Sequence, residues 1–264
     1  MSFTDKKLSD VYKDILHTDN SNTGISSSTK QIKCGDGDAT VLYLSSRHLA
    51  LLPDADSTTL IRARAANGDT LLQVDSTNSL VKAGVGSHIV NTQYAQFSTN
   101  SGEGAVFSAN THYALTFGHA NFSNGITGLP SFGTGTDPAT SFTTAEGNHT
   151  RSGDLVPVMW LVSDNITIDA VYSLEGADTA TGDTTRMHLF SYTFTSGSTS
   201  ALADGTLLAH NSDVTNAGSE QAYKSTWTVD SADVAGNKVI LATFLTTDVT
   251  GDYSVSVMVK YHLR

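Results

Sequence analysis

Nine histidines, 26 carboxylates and one cysteine are the groups in this 264-residue chain with chemistry to offer. Gly35-Asp36-Gly37-Asp38 carries two carboxylates two residues apart, as calcium loops do, but lacks the later ligands and the terminal Glu, so it reads as a turn. The histidines form no His-x-His or His-x3-His pair, and His112, His119 and His149 meet only through folding. A metal on a symmetry axis shared by copies of the chain needs one His per chain, so that possibility stays open, while no metal or cofactor is expected within a chain. Cys34, the lone cysteine, excludes an intrachain disulfide and any multi-cysteine cluster, and reads as a small buried apolar group. The chain has no Gly-x-Ser-x-Gly elbow, no Gly-Lys phosphate loop, no His-Glu-x-x-His, and no Gly-x-Gly-x-x-Gly between a strand and a helix. Glu103, Glu146, Glu175 and Glu220 sit beside Gly or in polar turn sequence, and Asp36, Asp54, Asp75 and Asp183 lie where a carboxylate caps local backbone N–H groups. No catalytic residue is therefore assigned. Paired carboxylates for glycoside cleavage depend on spatial separation, which leaves a polysaccharide depolymerase as an alternative.

The charge balance narrows the partners. Lys plus Arg is 15 against 26 Asp plus Glu, a formal charge of −11, which disfavours nucleic acid and anionic lipid. Charged residues are only 16%, whereas there are 36 Thr and 31 Ser, so hydroxyls carry the polarity and favour strands and turns. The 22 Gly and 4 Pro argue for tight turns over proline-rich linkers. No apolar run of signal-peptide or membrane-spanning length occurs, so a soluble product of the cytosol, without membrane insertion, is expected. The sequons at Asn121, Asn148 and Asn165 are what a Ser/Thr-rich chain produces by chance.

The elements that position these groups follow from periodicity. Leu8, Val11, Tyr12 and Ile15 recur at spacings of three and four, with Thr4 as N-cap and Asp5 in the first turn, which predicts a helix over the first sixteen residues. A helix of about three turns is marginal alone and needs a surface to lie on, either its own domain or a partner. His17 to Ser28 reads as a flexible connection. From Gln31 to about Val85 short alternating runs are punctuated by turns, with Asn67-Gly68 the strongest hairpin signal and Asp75-Ser76-Thr77-Asn78 the next. Such hairpins are poor in large side chains, and an isolated one is marginal in water. They gain burial by pairing with copies of themselves.

The run Asn67-Gly68-Asp69-Thr70-Leu71-Leu72-Gln73-Val74-Asp75-Ser76-Thr77-Asn78-Ser79-Leu80-Val81-Lys82-Ala83-Gly84 resembles the shaft segments of bacteriophage fibre and spike proteins. The opening Val11-Tyr12-Lys13-Asp14-Ile15-Leu16, with its Ser/Thr/Asn-rich link, is similar to the virion-attachment ends of such fibres. The likeness covers about the first 85 residues. It implies a homotrimeric virion appendage, assembled in the host cytoplasm and joined to capsid or tail proteins through its N-terminus.

From His88 onward the strands lengthen, with candidates at Val90–Phe97, Thr111–Phe117, Leu155–Val162, Ile166–Leu174, Met187–Phe194, Thr206–Ala209, Tyr223–Val229, Val239–Leu245 and Tyr253–Leu263. Tyr253, Val255, Val257, Val259, Tyr261 and Leu263 alternate with polar residues, and Ile166, Ile168, Ala170, Tyr172 and Leu174 do likewise, each series predicting one buried face. Leu155 to Val162, apolar on both faces around Trp160, suits a central strand with Pro157 near its start or at a bulge. Trp227 lies in a strand of unassigned burial. The residues between Phe117 and Leu155 lack a period, and a loop that long contacts a partner or covers a sheet edge. Its large groups Phe122, Phe132, Phe142, His149 and Arg151 are the receptor-contact candidates, with packing against the sandwich as the alternative.

The expected fold is mainly β: a short N-terminal α-helix (virion docking, 1–28), a β-hairpin trimeric shaft (29–87) and a C-terminal antiparallel β-sandwich, jelly-roll-like (88–264). The expected function is a phage structural protein, a homotrimeric fibre binding a host surface glycan or protein rather than an enzyme. A capsid-decorating protein without a receptor role is the alternative.

Overall fold

A computed structural model of the protein describes residues 16–18, 24–100, 108–118, 131–141, 155–178, 180–197, 202–248 and 252–264. The expected N-terminal helix, with Leu8, Val11, Tyr12 and Ile15, lies outside the described residues. Within them the chain is mainly β, with antiparallel pairing throughout, and falls into two compact units, one ending at Val90 and one running Asn91–Arg264. The boundary falls three residues past the expected one because His88–Ile89 still pairs back onto the hairpins.

The first unit contains two four-stranded meanders. One runs β1 (His17–Thr18), β2 (Lys30–Lys33), β3 (Ala39–Leu44) and β4 (Leu49–Leu51); the other runs β5 (Ile61–Arg64), β6 (Thr70–Asp75), β7 (Leu80–Ala83) and β8 (His88–Ile89). Their turns are those the residue types demand. Gly68 closes the β5–β6 hairpin at a φ of +94°, a conformation L side chains rarely adopt. After β6 the Asp75 carboxylate accepts the backbone N–H and the side-chain amide of Asn78, both at 3.0 Å. Gly35-Asp36-Gly37-Asp38 is likewise a turn, with Asp36 and Asp38 exposed. Cys34 is half-buried rather than buried, because it opens the turn that follows β2 in this single-layer sheet.

Interior is what the first unit lacks. Ile32 is its only buried apolar side chain among the described residues. Directly opposed residues of an antiparallel ladder share a face. The pairings Ile61–Val74–Val81 and Ala63–Leu72–Ala83 therefore lay six apolar residues on one side of the second meander, and Arg62–Gln73–Lys82 on the other. That apolar side stays open: Ile61, Leu72 and Val81 are 36–43% exposed.

The second unit is a two-layer sandwich. Its strands are β9 (Thr92–Asn100), β10 (Tyr113–Ala114), β11 (Thr116–Phe117), β12 (Trp160–Leu161), β13 (Ile166–Asp178), β14 (Thr184–Phe194), β15 (Leu202–His210), β16 (Val214–Thr215), β17 (Gln221–Thr226), β18 (Thr228–Val229), β19 (Asp233–Val234), β20 (Lys238–Thr246) and β21 (Asp252–Leu263). One layer, the β13 sheet, has the order β11-β9-β21-β13-β17, with β19 also on β13; the other, the β14 sheet, has β10-β20-β14-β15-β18, with β12 on β20 and β16 on β14. Phe97, Ile168, Val171, Val255, Val257 and Val259 from one layer meet Met187, Leu189, Leu208, Ile240 and Phe244 from the other. Trp227 marks the corner where the chain leaves β17 in one sheet for β18 in the other. It is buried, and its Nε1–H donates to Ser173 Oγ at 2.9 Å.

Two expectations about these strands fail. Leu155–Val162 is not a central strand: Val156–Val158 forms a 3-10 turn with Pro157 in its first turn, and only Trp160–Leu161 pairs with β20. Proline cannot donate to a ladder, and its fixed φ suits a helical start. The strand buried on both faces is β20, whose residues Val239 to Thr246 are all buried. The second failure is one of phase. Pairing between β13 and β21 shifts register between Ile168 and Ala170, and one extra residue turns every later side chain to the opposite face. Ile166 and Ile168 point inward as expected, but beyond the bulge Val171, Ser173, Glu175 and Ala177 are buried, while Leu174 is 60% exposed.

The outer face of the β14 sheet is covered. Phe132, Leu155 and Val158 pack on Phe190, Tyr192, Leu202, Val239 and Leu241, forming a second cluster. The described part of the long loop, residues 131–141, is held there by Tyr192, whose hydroxyl donates to Ala139 O at 2.9 Å, and by Gly205 N–H, which donates to Thr140 O at 2.8 Å. A Cβ at position 205 would stand 2.7 Å from Tyr192 Cε1 and 2.8 Å from Thr140 Cα. Gly205→Ala is expected to lift this cover, destabilising the protein by about 2 kcal/mol, read by denaturant unfolding. An unchanged midpoint would show that the cover contributes nothing.

Candidate functional site

Of the five receptor-contact candidates, Phe122, Phe142, His149 and Arg151 lie outside the described residues. Phe132 does not serve as a contact: it is fully buried beneath the loop, 6.4 Å from the Tyr192 ring between centroids. An aromatic side chain of its area is drawn to the nearest apolar face, and the outer side of β14 and β20 supplies one. Trp160 is a core residue, stacked on Phe117 and tilted against Tyr261 at 4.9 Å.

Three constellations remain. The first occupies the end of the sandwich opposite the one where the chain enters at Asn91. Thr92 pairs with His262 at the entry end and Asn100 with Ser254 at the other, and nine residues of β9 at about 3.4 Å each separate the ends by about 30 Å. At the far end Thr185 Oγ1 donates to the Glu175 carboxyl at 2.8 Å; the Tyr253 hydroxyl donates to Asp183 Oδ2, and Thr246 Oγ1 approaches Tyr253 Oη at 3.2 Å. All five residues are buried. Burial pushes Glu175 up to about 7, against which the single Thr185 hydrogen bond works, and burial beside Asp183 raises the Tyr253 phenol. Glu175 and Asp183 are therefore not the solvated turn residues expected. Asp183 does lie in the β13–β14 connection, but its carboxylate turns inward, and the bulge in β13 turns Glu175 inward too. These hydrogen bonds join β13 to β14 and tie the β13–β14 connection to β20 and β21 at this end of the sandwich.

The second constellation lies under the loop cover. Across the outer face of the β14 sheet, Thr243, His188 and His210 stand opposite one another on β20, β14 and β15. The His112 ring meets His188 edge-on at 5.1 Å, His112 Nε2 lies 3.0 Å from Gly135 O, and His188 Nε2 lies 3.2 Å from Asp137 Oδ1. His210 Nδ1 is 2.8 Å from Asp230 Oδ2. Burial, and then the neighbouring His112, lower His188 to about 4, and burial lowers His112 as well, so both are neutral at pH 7. Among the described residues no three His, Cys, Asp or Glu side chains are spaced to hold a metal ion. Nothing in the sequence points to His188, since His210, Asp137 and His112 lie 22, 51 and 76 residues away along the chain and spacing carries no trace of their meeting.

The third is the open outer face of the β13 sheet. A groove of about 450 Å³ is lined by Tyr172, Ser173, Leu174, Lys224, Ser256 and Met258. Tyr172 pairs with Met258 and Leu174 with both Ser256 and Lys224, so adjacent rows of β13, β21 and β17 form its floor and wall. Ser256 Oγ receives the Gln96 side-chain amide at 3.1 Å. Lys224 and, further along this face, Lys260 make no ion pair or hydrogen bond among the described residues, whereas Arg186, Lys238 and Arg264 each do. The groove exists because of the bulge: in the unshifted phase Tyr172 and Leu174 would be core.

No helix among the described residues is long and apolar enough to cross a membrane. No family model matches the chain and no curated protein matches its sequence, which leaves the geometry of its own surfaces to carry a functional reading.

Proposed function

We propose that the protein is a structural component of a bacteriophage virion, a homotrimeric fibre that attaches to the particle through its N-terminus and binds the host surface with its sandwich unit. The observation that carries this reading is the open apolar face of the first unit. Ile61, Ala63, Leu72, Val74, Val81 and Ala83 share one side of a meander that has no second layer among the described residues, and burying an aliphatic side chain of the size of Ile61 or Leu72 contributes about 1.5–3 kcal/mol. Three copies turned face to face give this side the interior it lacks, and form a shaft. The resemblance of residues 67–84 to fibre shafts points the same way.

The sandwich is of the jelly-roll type in this reading. If β9, β10, β13, β14, β15, β17, β20 and β21 are numbered one to eight, the sheets follow the orders 1-8-3-6 and 2-7-4-5, which two nested Greek keys produce and which support it. The protein works by binding rather than turnover, and three copies on one shaft multiply a weak contact by raising its effective concentration.

Light scattering of the purified full chain tests assembly. The expected mass is three times the 27.8 kDa of one chain; a mass of one chain at micromolar concentration would overturn the fibre reading.

A further inference from the structure

We propose that the groove on the outer face of the β13 sheet binds a carboxylated sugar, with Tyr172, Leu174 and Met258 receiving the ring and Lys224 its carboxylate. The inference deepens the reading of the protein as a surface binder, and rests on it. The groove, about 450 Å³, falls in the range of small-ligand sites and has the room of one or two sugar rings. Tyr172, Leu174 and Met258 give the groove apolar surface, which suits the C–H face of a pyranose, and Ser256 lines the same groove with a hydroxyl that can meet a ring hydroxyl.

Charge selects among such ligands. The chain carries −11, so its field repels anions in general, yet no carboxylate lines this groove and Lys224 stands in its wall without a counter-ion among the described residues. Lys260 adds a second positive charge to the same face, on β21 beside Tyr94. An anionic group is thus attracted here and disfavoured over the acidic remainder.

The sheet itself argues for a sugar over an extended peptide. β13 is bonded on both sides by β21 and β17, and β21 by β9 and β13, so the N–H and C=O groups beneath the groove are spent in ladders. The floor between β21 and β13 thus has no main-chain group left for strand addition, and recognition on it falls to side chains; β17, which carries Lys224, is the edge strand of the sheet.

The experiment titrates the full-length protein with an oligomer of glucuronic acid and, separately, with a glucose oligomer of equal length, by calorimetry at low salt. Saturable binding of the acidic oligomer, at least tenfold tighter than the neutral one, is expected. Lys224→Gln and Tyr172→Ala should each weaken it at least tenfold while circular dichroism and mass stay unchanged. The proposal is overturned by equal affinity for both oligomers, by no binding at millimolar concentration, or by acidic-oligomer binding that neither substitution alters. It is also overturned if Leu174→Ser changes the mass, since the groove is then a contact between copies. A trimer that adheres to host cells without binding the oligomer rejects this site and leaves the fibre standing; a monomer that binds the oligomer through Lys224 does the reverse.

Discussion

Leu72→Asp is expected to convert the protein from three chains to one. Leu72 is 40% exposed in the single chain and sits in the middle of the apolar side of the second meander, opposite Ala63 and Ala83. In a trimer closed through that side, three carboxylates enter one largely apolar interior, in a row that ends on His88 opposite Ala83. Each unpaired buried charge costs several kcal/mol, and symmetry repeats the cost three times, more than the lost leucines alone account for. Gln73→Asp is the control. Its neighbour rows hold Arg62 and Lys82, so a carboxylate there meets cations and water, and the mass should not change. Sedimentation of both variants at micromolar concentration reads the result. If the two behave alike, or if Leu72→Asp remains three chains, the apolar side of this meander is not the subunit seam.

Glu175→Gln is expected to stabilise the protein above pH 7 by about 3 kcal/mol relative to its effect at pH 4.5. The folded carboxyl holds its proton up to about 7, against 4.5 as the ordinary value. A group whose folded value is raised contributes its full stability below the unfolded value and loses it as pH rises through the folded one, so the unaltered protein weakens between about pH 4.5 and 7. Gln keeps the shape and the acceptor for Thr185 but has no proton to lose. The effect needs a difference measurement because His188 acts in the opposite direction. Its folded value, lowered to about 4 from 6.5, removes stability as pH falls from 6.5 to 4. Between pH 4.5 and 6.5 the two contributions oppose each other, and His112, lowered by burial as well, acts in the direction of His188, so the native profile alone does not isolate Glu175. Denaturant midpoints of both proteins at pH 4.5, 6 and 8 resolve them. A Gln-minus-Glu difference that stays constant with pH would falsify the buried neutral acid.

The sequence was most legible where structure is local. Gly68 and the Asp75–Asn78 turn announce their hairpins because the conformation they adopt is written in residue types within four positions. The β21 alternation was legible for the same reason: Tyr253, Val255, Val257 and Val259 are buried as the two-residue period requires. The site was hardly legible. Phe132 looked like a contact residue because the face it covers is built from β14 and β20, more than fifty residues downstream. Glu175 reads as solvated beside its glycine, whereas the register shift seven residues earlier that turns it inward leaves no mark in the residue types. Leu155 to Val162 showed that apolar content alone does not distinguish a strand from a Pro-started turn packed on a sheet.

The extra residue in β13 has a consequence for how such a protein drifts over generations. Deleting one position near Asp169 would keep every downstream side chain and yet exchange inside for outside, sending a carboxyl to water and a tyrosine and a leucine into the centre. Length variation at this one place is therefore a route by which a lineage could rewrite what its exterior presents without inventing a new amino acid anywhere else along the strand.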